Sequence, residues 1–137
     1  MIVQTVTTSF KYDCYTAQQN LSTDTLKMAL YTAQANITAD TQAYASDYEV
    51  SSANYTAGGI ILTGVTVNTS DSTVYLSFNN PTWYSVSFTC RGALIYNSTK
   101  SNKSIAVLNF GSDKTVSNNT FTVILPANTA TSALIRS

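Results

Sequence analysis

The sequence predicts an all-β fold: one domain, an antiparallel sandwich or closed barrel of about eight short strands. Three observations carry that expectation. Apolar and hydroxyl residues alternate at period two in runs such as Thr120-Phe121-Thr122-Val123-Ile124-Leu125 and Val74-Tyr75-Leu76-Ser77-Phe78, the pattern of half-buried strands. Gly, Asn, Asp and Pro punctuate these runs at short intervals, as turns between strands require. There is no internal repeat at a period of roughly 20 to 50 residues, which sets aside propellers and solenoids.

The first twenty residues are the least strand-like part after Ile2-Val3. Ser9 is placed to cap a short helix reaching about Gln18, with Phe10, Cys14 and Ala17 on one face. Residues 1–22 are therefore read as an N-terminal arm or short helix, and 23–137 as the β-sandwich domain. Thr25 to Tyr31 reads as the first strand, with Leu26, Met28 and Leu30 on one side and Lys27, Ala29 and Tyr31 on the other.

Thr32 to Gly58 has no clean period and contains Tyr44, Tyr48 and Tyr55 together with Asp40, Asp47 and Glu49. A connection of this length is uncommon unless it is functional or packed. A helical turn is expected around Thr41 to Ala45. The tyrosines either plug one end of the core or face a partner, for which Tyr supplies contact area at low entropic cost.

Beyond the Gly58-Gly59 turn, Ile60 to Val67 and Thr73 to Phe78 flank the turn-rich stretch Asn68 to Ser72 and read as a hairpin. Asn79-Asn80-Pro81 ends it. Trp83 to Arg91 is the next strand, with Tyr84, Val86, Phe88 and Cys90 on one face and Trp83, Ser85, Ser87 and Thr89 on the other. Trp83 is read as a core or hairpin residue, with a carbohydrate-stacking platform shared with Tyr84 as the other reading. Gly92 is expected to break the line before Ala93 to Tyr96. Asn97 to Lys103 is a polar loop, Ser104 to Phe110 a strand, and Gly111-Ser112-Asp113 a turn. Thr120 to Leu125 and Ala133 to Arg136 close the chain, with Pro126 as a stop.

Composition narrows the function. The chain has 137 residues, no His, seven acidic and seven basic side chains, and net charge zero. Charged residues make up 10%, where about 25% is usual. Ser and Thr fill 39 positions and Asn 12, so the surface is polar but nearly uncharged. Without a basic field the chain is not expected to bind nucleic acid or an anionic membrane, and no stretch approaches the ~20 apolar residues of a spanning helix. The start lacks the pattern of a signal peptide, so synthesis in the cytoplasm is expected. Near-zero charge offers little protection against association, which suits a protein whose normal state is assembled.

Reactive chemistry is sparse. Without His, the commonest general base and the usual triads are missing. Asp24, Asp40, Asp47, Glu49, Asp71 and Asp113 sit mostly in turn-like contexts rather than as an acid pair. A Ca2+ site from Asp40, Asp47 and Glu49 is conceivable, but no loop has the EF-hand spacing. Cys14 and Cys90 are expected as free, mostly buried thiols. Seven Asn-X-Ser/Thr sequons, at Asn20, Asn36, Asn54, Asn68, Asn97, Asn102 and Asn118, are read as a by-product of composition. No enzyme activity, metal or cofactor is expected.

A series of phrases points further: Thr23-Asp24-Thr25-Leu26-Lys27-Met28-Ala29-Leu30-Tyr31-Thr32, Tyr48-Glu49-Val50, Tyr55-Thr56-Ala57-Gly58-Gly59, Arg91-Gly92-Ala93-Leu94-Ile95-Tyr96-Asn97 and Val107-Leu108-Asn109-Phe110-Gly111-Ser112-Asp113-Lys114. In this order and spacing they resemble a family of small virion structural proteins of tailed bacteriophages, of the capsid cement or head decoration type. The resemblance spans about Thr23 to Arg136. It implies a jelly-roll-like sandwich on the outer surface of an icosahedral head, bound across seams between copies of the major capsid protein. It further implies a homo-oligomer, with a dimer favoured and a trimer the alternative. A tail-fibre or tail-tip module and a free carbohydrate-binding sandwich are the competing readings. Ile2, Val3, Phe10, Tyr44, Tyr48 and Tyr55 are the partner-contact candidates.

Overall fold

The computed structural model describes residues 1–129 and 131–136. Eight strands and one helix follow in the order β1 (Thr5–Val6), α1 (Thr8–Tyr15), β2 (Leu26–Tyr31), β3 (Ile60–Ile61), β4 (Thr66–Ser70), β5 (Thr73–Ser77), β6 (Thr82–Asn97), β7 (Lys103–Thr122) and β8 (Ile135–Arg136). They form two antiparallel sheets, β1-β7-β6-β2-β3 and β4-β5-β8. The all-β class and the sandwich-like layering expected from the sequence are present.

The larger sheet is buried on both faces at its centre, and β2 shows why. Its alternation sends Leu26, Met28 and Leu30 into the main core, where they meet Leu76, Phe78, Val123 and Ile135 from the second sheet and the segments around it. Ala29 and Tyr31 point the other way, into a smaller core with Ile2, Ala35, Ile37, Leu94, Tyr96 and Val107. Double-sided burial is what permits the continuous apolar run Ala93-Leu94-Ile95-Tyr96 in β6. Each large side chain fully buried there contributes roughly 1.5 to 3 kcal/mol of transfer free energy.

Several expectations change in detail. Thr7, not Ser9, caps α1: its hydroxyl accepts the Phe10 N–H. The helix ends at Tyr15, and its buried residues are Phe10 and Asp13, so Cys14 faces outward. No helical turn forms at Thr41 to Ala45, because that backbone is drawn out alongside the start of β7. Ala43 bridges to Lys103, Ser104 N–H donates to Gln42 O at 2.9 Å and Tyr44 N–H to Asn102 O at 2.9 Å.

The β4–β5 hairpin turns on two residues rather than five. Ser70 pairs with Thr73, and Asp71 takes φ 53° between them, the positive φ that two-residue hairpins use.

Gly92 does not interrupt its strand. It lets β6 and β7 approach: a Cβ there would lie 2.5 Å from Leu108 O and 2.8 Å from the Ile2 side chain. Gly111-Ser112-Asp113 is likewise not a turn but an irregularity inside β7. Cys90 pairs with Lys114 and Gly92 with Asn109, so two steps on β6 match five on β7.

Residues 1–22 are stitched into the fold. Val3 N–H donates to Ile37 O at 3.0 Å, Thr7 N–H to Ile105 O at 3.0 Å, and β1 pairs with Ala106 and Val107 of β7.

Candidate functional site

The long Thr32–Gly58 connection is organised by one carboxylate. Glu49 Oε1 accepts the Tyr44 hydroxyl at 2.6 Å, and Oε2 accepts the Tyr55 hydroxyl at 2.6 Å and the Gly58 N–H at 2.8 Å. The Tyr55 oxygen also accepts the Leu30 N–H of β2 at 2.9 Å. Tyr96 donates its hydroxyl to Gly58 O, and Tyr31 donates to Ala45 O at 2.7 Å. Tyr44 stacks on Tyr96 with ring centroids 4.8 Å apart.

Burial, followed by the negative charge of Glu49, raises the phenol of Tyr31, and burial followed by the hydrogen bond to Glu49 raises those of Tyr44 and Tyr55. Burial and then Glu49 push Tyr96 up to about 12. All four phenols stay neutral donors at physiological pH.

The network decides where the six contact candidates stand. Tyr55 is buried, packed against Trp83 and Phe88 at 6.3 and 6.0 Å between centroids. Tyr44 is half-buried in the network, so these two tyrosines plug the core. Ile2 is buried in the smaller core and Phe10 in the main one. Only Val3 and Tyr48 are exposed, Tyr48 on a left-handed turn at φ 61°. The structure therefore does not gather the six into one surface. Ile2, Phe10 and Tyr55 pack into the interior instead.

Four of the seven acidic side chains, Asp13, Asp24, Glu49 and Asp113, are engaged in structural contacts. Both Glu49 oxygens are engaged by the tyrosines and Gly58, which takes from Asp40, Asp47 and Glu49 the ligand that a Ca2+ site there needs. Among the described residues no group of three or more His, Cys, Asp or Glu converges as metal ligands do. Asp24 accepts from Asn20 N–H and Asn97 Nδ2 and orders a turn. Asp113 meets Arg91 at 3.4 Å on the exposed sheet surface.

Asp13, which no sequence pattern singles out, is buried and pairs with Lys103 at 3.5 Å and with Gln19 Nε2 at 3.0 Å. Cys90 is buried and its thiol is pushed up to about 12, by burial first and then Asp113. Cys14 is exposed, against expectation, and its thiol is raised by partial burial and then by Asp13.

What the fold leaves open lies elsewhere. Beyond Asn109, the outer side of β7 has no partner strand among the described residues, because β1 pairs only at Ala106 and Val107. From Gly111 to Asn119 this edge is almost wholly exposed, and its only charges are the adjacent Asp113 and Lys114.

A second surface is the β4–β5 hairpin. Val67 lies opposite Leu76 and Thr69 opposite Val74, so all four share one face. Leu76 is buried, but Val67 and Val74 stand 43% and 45% exposed, so the apolar face runs past the edge of the core.

Tyr84 is the third feature, 70% exposed beside an open groove of about 470 Å³. The sequence had placed it on the face of Val86, Phe88 and Cys90. A larger groove of about 820 Å³ lies along α1 between Tyr12, Asp40, Gln42 and Lys103. No helix of the described residues is long and apolar enough to cross a membrane.

Comparison of the chain with known protein families, with curated proteins and with solved structures found no match.

Proposed function

We propose that this protein is a virion structural protein of the capsid cement type, made in the bacterial host cytoplasm. It binds the outer surface of an icosahedral head across seams between major capsid protein subunits, as a homo-oligomer with a dimer favoured. The observation that carries the reading is the open edge of β7 from Gly111 to Asn119, long, exposed and carrying one charge of each sign.

Such an edge offers unpaired N–H and C=O groups to a strand of another chain, and its hydroxyl and amide side chains impose no charge barrier. The apolar stripe of Val67 and Val74 adds surface that gains by being covered. A clamp of this kind needs no reactive group. It acts by binding the closed shell better than the opened one, and many copies of modest affinity add their effects. The phrases from Thr23 to Arg136 that resemble head decoration proteins support the same reading.

The test uses the 137-residue chain and purified heads stripped of it. Saturable co-sedimentation and a higher temperature of DNA release on re-addition are expected. Heads that neither bind the chain nor change their release temperature rule the proposal out.

A further inference from the structure

The strand β6 contains a defect that turns one aromatic side chain outward. Trp83 pairs with Phe121 and Val86 with Asn119, so three steps on β6 match two on β7. The extra residue is absorbed at Tyr84-Ser85, where Ser85 takes φ 54°, a left-handed conformation that costs a non-glycine residue on the order of 1 kcal/mol or more. Without the bulge, alternation would put Trp83 outward and Tyr84 inward. With it, Trp83 is buried in an aromatic cluster with Tyr55 and Phe121, and Tyr84 stands in solvent. Bulges that re-aim one side chain in this way concentrate at functional sites.

The bulge is held from outside the sheet. Asn54 Nδ2 donates to Ser85 O at 2.8 Å, and Ser87 N–H donates to Ser52 Oγ at 3.0 Å. The Ser52–Thr56 segment is thereby tied against β6, and the space between them is the groove of about 470 Å³ beside Tyr84. Asn54, Thr56, Thr82 and Ser85 line it, with Ile60 as an apolar wall and no charged side chain. Its volume is that of a small-ligand site.

That chemistry selects among ligands. An anionic or cationic ligand would find no opposite charge, and a purely apolar one would strand the amide and hydroxyl groups without partners. A neutral sugar offers what the groove complements: an apolar ring face to lie on an exposed aromatic ring, and rim hydroxyls to exchange hydrogen bonds with amides and hydroxyls. We propose that the Tyr84 groove is a binding site for a neutral glycan, with Tyr84 as the stacking platform and Asn54, Thr56, Thr82 and Ser85 as the polar rim. No residue of the β7 edge lines the groove, so glycan binding and head binding are read by separate assays.

Titration of the isotope-labelled full chain with maltohexaose, cellohexaose and uncharged dextran, followed by amide NMR shifts, tests it, with trigalacturonate as a charged control. Expected are shifts confined to residues 52–60 and 82–87 with at least one neutral probe and none with trigalacturonate. Tyr84→Ala weakens the response by about tenfold, as loss of an aromatic stacking contact does, whereas Tyr84→Phe retains it. Tyr84 is exposed, so both variants fold, which an unchanged spectrum away from the groove verifies.

No shift with any neutral probe up to ~10 mM, shifts elsewhere, or equal binding by Tyr84→Ala overturns the proposal. So does loss of head binding in Tyr84→Ala without glycan binding in the parent, which assigns the groove to a protein contact.

Discussion

Tyr55 and Glu49 are joined by a 2.6 Å hydrogen bond in which the phenol donates to the carboxylate, while the same phenol oxygen accepts the Leu30 N–H. A carboxylate in a loop is thus tied to the backbone of a central strand through one aromatic ring. Bonds to a charged acceptor contribute about 1.5 to 3 kcal/mol. Glu49→Gln should therefore lower stability by about 2 kcal/mol in urea denaturation. Tyr55→Phe should couple strongly to it in a double-mutant cycle. Simple additivity of the two would show that the bond contributes nothing specific.

Alkaline pH should loosen the same region. The phenols of Tyr31, Tyr44 and Tyr55 are raised, and Tyr96 is raised to about 12, from an ordinary value of 10. Above that ordinary value the unfolded chain gives up protons that the folded chain keeps, so folding stability falls as pH rises. Stability is expected to be fully present below about pH 10 and to decline from there through about 12. Tyr96→Phe removes one contributor and should shallow that decline. A flat stability profile between those values would contradict the buried placement of the phenols.

The two thiols should separate cleanly. Cys14 is exposed and Cys90 is buried, so a disulfide-exchange reagent at mildly alkaline pH titrates one equivalent in the native protein. Reaction is slow because the Cys14 thiol is raised as well. The second equivalent appears only on unfolding, and Cys14→Ser abolishes the first.

Two glycines with positive φ should respond differently to alanine. At Gly59 a Cβ would sit 1.8 Å from Met28 O, whereas at Gly111 nothing lies within 4 Å. Gly111→Ala bears only the conformational cost, about 1 kcal/mol. Gly59→Ala also forces β2 and β3 apart and should cost at least about 3 kcal/mol or prevent folding. Comparable denaturation midpoints for the two variants would refute the close approach.

The N-terminal residues are structural. Thr7 is fully buried, its hydroxyl lies 2.9 Å from Ser104 Oγ, and Ile2 packs into the smaller core. Deleting residues 1–8 should lower stability by several kcal/mol, roughly that of burying Ile2 plus a helix cap. A truncated chain with unchanged melting would restore the arm reading.

Fold class was readable because it rests on periodicity. The β2 pattern named both faces correctly, Leu26, Met28 and Leu30 toward one core and Ala29 and Tyr31 toward the other. Strand extent was less readable. Gly92 and Gly111 look like breaks, yet their missing side chains serve close approach and irregular pairing within long strands.

The faces of Trp83 and Tyr84 were inverted because the bulge at Ser85 carries no glycine to announce it. The bulge is met by a hydrogen bond from Asn54, far away in sequence. The tyrosines of the long loop were visible as a group, but Glu49 as the shared partner of Tyr44 and Tyr55 was not, since the contacts depend on how the loop folds back.

The proposed place of this protein is the outside of a phage head. Quantitative mass spectrometry of intact purified virions, combined with surface labelling, addresses it most directly. A head cement protein is expected in copy numbers of the same order as the major capsid protein, labelled on filled heads without disrupting them. A few copies co-purifying with tails, or none at all, would contradict it.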